Sequence, residues 1–169
     1  MDLFLKLFQS PSNDIVINPD QAGMEINESH FPYIMVTMHQ HYIHSRQIRY
    51  FLTKMGEIYH RAVVERQRIV LILDTRKLDY AKAKFAYDLA KWFLSVRTTT
   101  SRYVLCTIIL SENEGLKNFI NKWVFTFVKR TRPNYICATI HEAWIWLILY
   151  LHSQAQAGTL HYRMNSLEL

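Results

Sequence analysis

The segment Arg68-Ile-Val-Leu-Ile-Leu-Asp74-Thr75 sets five consecutive apolar side chains between an arginine and a carboxylate, and an amphipathic stretch follows at once. A run that is apolar at every position, short and bounded by charge has the signature of a strand buried on both faces. The same grammar returns twice. Val104-Leu-Cys-Thr-Ile-Ile-Leu110 stops at Ser111-Glu-Asn-Glu114, and Tyr135-Ile-Cys-Ala-Thr139 stops at His141-Glu142. Doubly buried strands separated by helix-length segments need helices to cover them, which predicts an α/β fold with a mostly parallel or mixed sheet of about five strands and four main helices. Such sheets bind ligands beyond the carboxyl ends of their strands. That rule gathers Asp74, Thr75, Ser111, Asn113, Thr139 and His141 on one rim without naming a ligand. Asp74 can meet a basic ligand there, cap a turn, or hold Arg76 or Lys77.

The other elements fall around these runs. Tyr33-Ile-Met-Val-Thr-Met38 is a further strand, and Asp14-Ile-Val-Ile-Asn18, the turn at Pro19 to Gly23 and Met24-Glu-Ile-Asn27 predict a short hairpin or an irregular edge. From 45 to 66, Ile48, Leu52, Met55, Tyr59 and Ala62 step by three and four as one helical face, with Ser45 as N-cap and Arg46, Arg49, Lys54 and Glu57 on the wet side. A second helix is expected over 80–96, capped by Asp79, with Ala81, Phe85, Leu89, Trp92 or Phe93 and Val96 inward and Lys82, Lys84 and Lys91 outward. Ser111-x-x-Glu114 and Thr139-x-x-Glu142 have capping-box spacing, the first opening a third helix to about 128 and the second a fourth helix. Before all of these, residues 1–9 align Leu3, Phe4, Leu7 and Phe8 on one face. Periodicity fades after Ser153, so the chain divides into an N-terminal segment (1–13), one domain (14–152) and a tail (153–169).

With 169 residues, 50% of them hydrophobic, one full core is expected. Twenty Lys and Arg against 14 Asp and Glu leave a net charge of +6, which favours anionic partners without requiring nucleic acid. Cys106 and Cys137 sit inside predicted strands as core thiols, which points to a reducing compartment. The first eight residues are too short for a secretory signal and carry Asp2. The apolar run 143–151 falls far below the roughly 20 residues of a membrane span. A soluble, cytoplasmic protein is the expectation. Only 4 glycines argue against a Gly-rich phosphate cradle, and no triad, Walker loop, HExxH or Rossmann pattern is present, so neither enzymatic activity nor a cofactor is expected.

In its order of elements the chain resembles the STAS domain of anti-sigma-factor antagonists and, more loosely, the CRAL-TRIO lipid-binding domains. The resemblance is carried by Ile72-Leu73-Asp74-Thr-Arg-Lys-Leu78 leading to the second helix, Ser111-Glu-Asn-Glu114, the edge strand Tyr135 to Ala138, and the closing Thr139-Ile-His-Glu142-Ala143, over about residues 14–151. It implies a regulatory module that binds proteins. Phospho-regulated STAS proteins carry an acceptor hydroxyl before the second helix, whereas Asp79-Tyr80-Ala81-Lys82-Ala83-Lys84 has none, so no phosphorylation switch is expected there. Lys82 and Lys84 near a helix start can attract an anion or simply stay solvated.

Two helices carry more apolar surface than one face can bury. The third has Leu116, Phe119, Ile120, Trp123, Val124, Phe125 and Phe127 before the basic cluster Lys129-Arg130-Thr-Arg132, and the fourth is apolar at every position from Trp144 to Leu151. A second copy, a protein partner, a terminal segment or a lipid surface must cover the excess, which adds Trp123, Phe127, Lys129 and Arg130 to the candidate binding residues. His39, His41 and His44 are weak metal candidates, three imidazoles without a fourth ligand beside them. Three readings follow: a non-enzymatic interaction module whose helices bind a protein partner or a second copy as a homo-oligomer; a carrier of a small hydrophobic or anionic ligand, as in CRAL-TRIO domains; and, last, a histidine-centred metal-dependent enzyme.

Overall fold

The computed structural model describes residues 23–78, 91, 94–124 and 132–156. The expected N-terminal helix, the 14–18 strand, most of the 80–96 helix with Lys82 and Lys84, Phe127, Lys129 and Arg130, and the tail past 156 lie outside the described residues.

One mixed sheet carries β1 (Met24–His30), β2 (Tyr33–Met38), β3 (Ile69–Asp74), β4 (Val104–Leu110) and β5 (Asn134–Cys137), side by side in chain order. β1 runs antiparallel to β2, and every later pair is parallel. The three apolar runs are therefore neighbouring parallel strands, and every residue of β4 is buried. Each crossover from β2 onward steps the same way across the sheet, so right-handed connections put the linking helices on one face. α1 (Ser45–Glu65) covers that face with Phe51, Met55, Ile58, Tyr59 and Ala62 against Ile34, Val36, Ile69 and Leu71. α2 (Arg97–Tyr103) is a short helix running straight into β4. α3 (Glu114–Phe119) continues as a π-helical turn (Ile120–Val124), and Leu116 and Ile120 close over Leu78 and Ile109. α4 (Ile140–Gln156) follows β5 and covers the opposite face, with Ala143 and Leu147 on Val70, Ile72, Cys106, Ile108 and Leu110.

Met24 to Asn27 lies in an irregular edge strand, as expected, and pairs with β2 through a turn at the cis Phe31–Pro32 bond, while several helix expectations are corrected. The register slips between Asn27 and His30. His44, not Ser45, caps α1: its N–H donates to Gln47 Oε1 at 2.8 Å. Asn113, not Ser111, caps α3, with Oδ1 accepting from Leu116 N–H at 3.0 Å. The reason is that the Ser111 N–H still belongs to the sheet, donating to the Cys137 carbonyl at 2.9 Å. Thr139 does cap α4, accepting from Glu142 N–H at 3.2 Å, while the Glu142 carboxylate reaches back to Ala138 N–H at 3.0 Å. α4 itself extends past Ser153 to Gln156. On the hairpin side, Glu28 of β1 is met by Lys54 of α1 at 3.0 Å, and Arg61 lies 4.1 Å over the Phe31 ring.

Candidate functional site

Register brings Asp74, Leu110 and Cys137 level at the carboxyl ends of β3, β4 and β5. The rim built there is tightly tied. Thr75 donates both its N–H (2.9 Å) and its hydroxyl (2.8 Å) to the Leu110 carbonyl, and Ser111 N–H holds β5 in the same way. Asp74 is buried, and its partner is the local Arg76: Nε donates to Oδ1 at 2.9 Å and Nη2 to Oδ2 at 2.6 Å, a bidentate fork. That carboxylate holds the Arg76 guanidinium above its ordinary pKa. Asn113 and Thr139 are committed to helix caps, and His141 is exposed. The structure thus brings the predicted rim residues together and uses most of them to fix the loops. Ser111 Oγ is fully buried with no hydrogen-bond partner among the described residues.

Both cysteines are free and buried. Desolvation pushes the Cys106 thiol up to about 12 and the Cys137 thiol up to about 11, so neither is a ready nucleophile at neutral pH. The three histidines go separate ways. His39 Nε2 lies 3.3 Å from Glu25 Oε2, His41 is exposed, and His44 caps α1 with its ring edge-on to Tyr42 at 5.4 Å. Among the described residues no group of three or more His, Cys, Asp or Glu is placed to hold a metal.

The apolar excess of α4 resolves into two sides. Trp146 stacks between Tyr135 (4.9 Å) and Tyr150 (5.1 Å), and the Tyr150 hydroxyl donates to the Leu105 carbonyl at 3.4 Å. The α4 rings Trp146 and Tyr150 are thus packed against the sheet. The exposed residues are aliphatic: Ile145 at 49%, Ile148 at 57% and Leu149 at 63%, on one side of the helix and flanked by the exposed His141, Glu142 and His152. Sequence reasoning could not single them out, because all eight positions from 144 to 151 are apolar and no period shows which face the sheet takes. Trp123 falls in the π-helical turn after α3. No helix among the described residues is long and apolar enough to cross a membrane.

The sheet order, the face taken by the crossovers and the closing helix define the SpoIIAA-like fold, the STAS fold of anti-sigma-factor antagonists. An uncharacterised DUF3478-family protein from Shewanella loihica, described as having a SpoIIAA-like fold, superposes with a TM-score of 0.50 at 16% identity, over 73% of this chain and 91% of that chain. No family model and no curated protein matches the chain.

Proposed function

We propose that this chain is a non-enzymatic, STAS-type regulatory module that works by docking a protein on the outer side of α4. The observation that carries the reading is the stripe Ile145, Ile148 and Leu149, exposed on a helix whose inner side is already packed. Single exposed aliphatics are ordinary, but three at i, i+3 and i+4 form a continuous surface that the fold itself does not use. A second copy suits this surface. Ile145 and Leu149 stand at equal spacing either side of Leu147, as do Glu142 and His152 further out. A two-fold antiparallel pair of α4 helices therefore sets Ile145 against the partner's Leu149 and the Glu142 carboxylate against the partner's His152. The stripe is small beside the roughly 800 Å² per partner of a standard interface, so the association is a weak, concentration-dependent one.

The committed rim supports interaction over catalysis or carriage, since Asp74, Thr75, Asn113 and Thr139 all hold their own loops. Two unpaired core thiols suit a reducing compartment, and we assign the protein to the cytoplasm. Sedimentation velocity over a concentration series tests the reading. The wild type should show a rising weight-average mass that the double variant Ile148→Glu, Leu149→Glu abolishes while keeping its circular dichroism and thermal midpoint. A wild type that stays monomeric across the series, or a double variant that still associates, overturns it.

A further inference from the structure

We infer that the opposite, α1-covered face of the sheet holds a small oxyanion, bound by the Arg132 guanidinium and the Thr107 hydroxyl beside Tyr59. Thr107 is the one hydroxyl in the otherwise apolar β4. Register sets it between Leu71 of β3 and Asn134 of β5, and Leu71 packs into the α1 core, so alternation along the strand turns Thr107 toward α1. Its N–H donates to the Pro133 carbonyl at 3.1 Å, which places Arg132 next to it in the chain that enters β5.

The side-chain chemistry of this corner is unbalanced. Thr107 is 6% exposed and its Oγ1 has no hydrogen-bond partner among the described residues; Arg132 Nε and Nη1 are buried without one there as well. The groups that face the guanidinium electrostatically are Tyr59 from α1 and Cys106 from β4, both neutral at ordinary pH because burial raises their pKa values. Burial also holds Arg132 below its ordinary pKa, and among the described residues no carboxylate is one of the groups that offset the effect. A desolvated cation left without an anion is among the costliest arrangements a protein can keep, and unmade donors add to the cost. Nε and Nη1 each share an edge of the planar guanidinium with Nη2, so either edge offers a fork that matches two oxygens of a phosphate or a carboxylate, and the Thr107 hydroxyl is a further donor on the same stretch of the sheet. Arg132 is partly exposed, which leaves the anion a way in from solvent. The site lies across the sheet from the α4 stripe and does not depend on it.

Thermal unfolding in inorganic phosphate, in acetate and in chloride at matched ionic strength tests the assignment. An anion bound only by the native state at a hundredfold excess over its Kd raises the midpoint by roughly 5–10 °C. The wild type should show that rise in phosphate, in acetate or in both over chloride, which tells the two oxyanion classes apart. Arg132→Lys, which keeps the charge and loses the fork, should lose most of it, and Thr107→Val part of it. Should Arg132→Met fold poorly, these two variants carry the test. No oxyanion-specific rise in the wild type overturns the proposal. So does a rise that survives Arg132→Lys and Thr107→Val unchanged, which would put the anion elsewhere. A wild type indifferent to anions, together with a responsive Asp88→Asn variant, would mean that the chain's own carboxylate fills the role, and would equally overturn it. Asp88 is the single acidic residue in 80–96.

Discussion

Leu147 and Leu149 are the same residue type on one helix, two positions apart, and should differ several-fold in what they contribute. Leu147 is 0% exposed in the cluster beneath α4, whereas Leu149 is 63% exposed. Truncation to alanine removes three carbon groups, worth about 2.4 kcal/mol of transfer free energy when fully buried. At Leu147 the cavity left between α4 and the central strands adds to this, bringing the total to about 3–4 kcal/mol. At Leu149 little more than a third of the side chain leaves water and solvent fills the gap, so the cost is about 0.9 kcal/mol. For a chain of this size the thermal midpoint should fall by roughly 6–16 °C for Leu147→Ala and by roughly 2–4 °C for Leu149→Ala. Urea unfolding with an unchanged m-value, at a protein concentration low enough to keep the chain monomeric, measures both directly. Equal losses at the two positions would mean that the outer side of α4 is packed within the monomer, and the docking surface proposed above would go with it.

Two further outcomes follow from the rim and the core. Thr75→Val keeps the shape and the backbone bond to Leu110 but removes the 2.8 Å hydroxyl bond, so unfolding free energy should fall by about 1 kcal/mol, and an unchanged urea midpoint would show that bond to be idle. Stability should be full below about pH 9 and decline above it, because burial raises the Cys106 thiol from 9.0 to about 12 and only the unfolded chain ionises in that window. Each pH unit removes about 1.4 kcal/mol through this thiol, and Cys106→Ala should flatten the slope by that amount; urea midpoints across the alkaline range read it, and parallel slopes would refute it. Tyr59, raised by burial in the same sense, adds to the decline at higher pH.

The sheet was legible because its signal is redundant. β3 and β4 are apolar at nearly every position, which fits a strand covered on both faces and little else, and the spacing between them leaves room only for crossovers. The caps were less legible because the same residue types serve competing ends. Ser111 and Asn113 are both good N-caps, and the choice fell to Asn113 because the β4–β5 ladder needs the Ser111 N–H. Arg97-Thr-Thr-Thr-Ser-Arg-Tyr103 carries three β-branched residues and gives no helical period, yet it forms α2. There Thr100 Oγ1 donates to the Arg97 carbonyl at 3.1 Å and Ser101 Oγ to the Thr98 carbonyl at 2.8 Å, local bonds that a propensity scale does not count. At the rim the residues were found but not their roles. Arg76, already named as a partner for Asp74, turned out to occupy the carboxylate that a basic ligand would need.

The borders of the sheet have a consequence for how this protein behaves when crowded. Among the described residues the outermost strands are β1 and β5. β5 offers only four residues, while β1 breaks register between Asn27 and His30 and bears Glu25 and Glu28. Strands that would append themselves along either flank meet a template that is too brief on one side and irregular and acidic on the other. Edge-to-edge pairing with other chains is thereby discouraged, and the strongly apolar runs of β3 and β4 sit in the middle of the sheet, where no other chain can reach them.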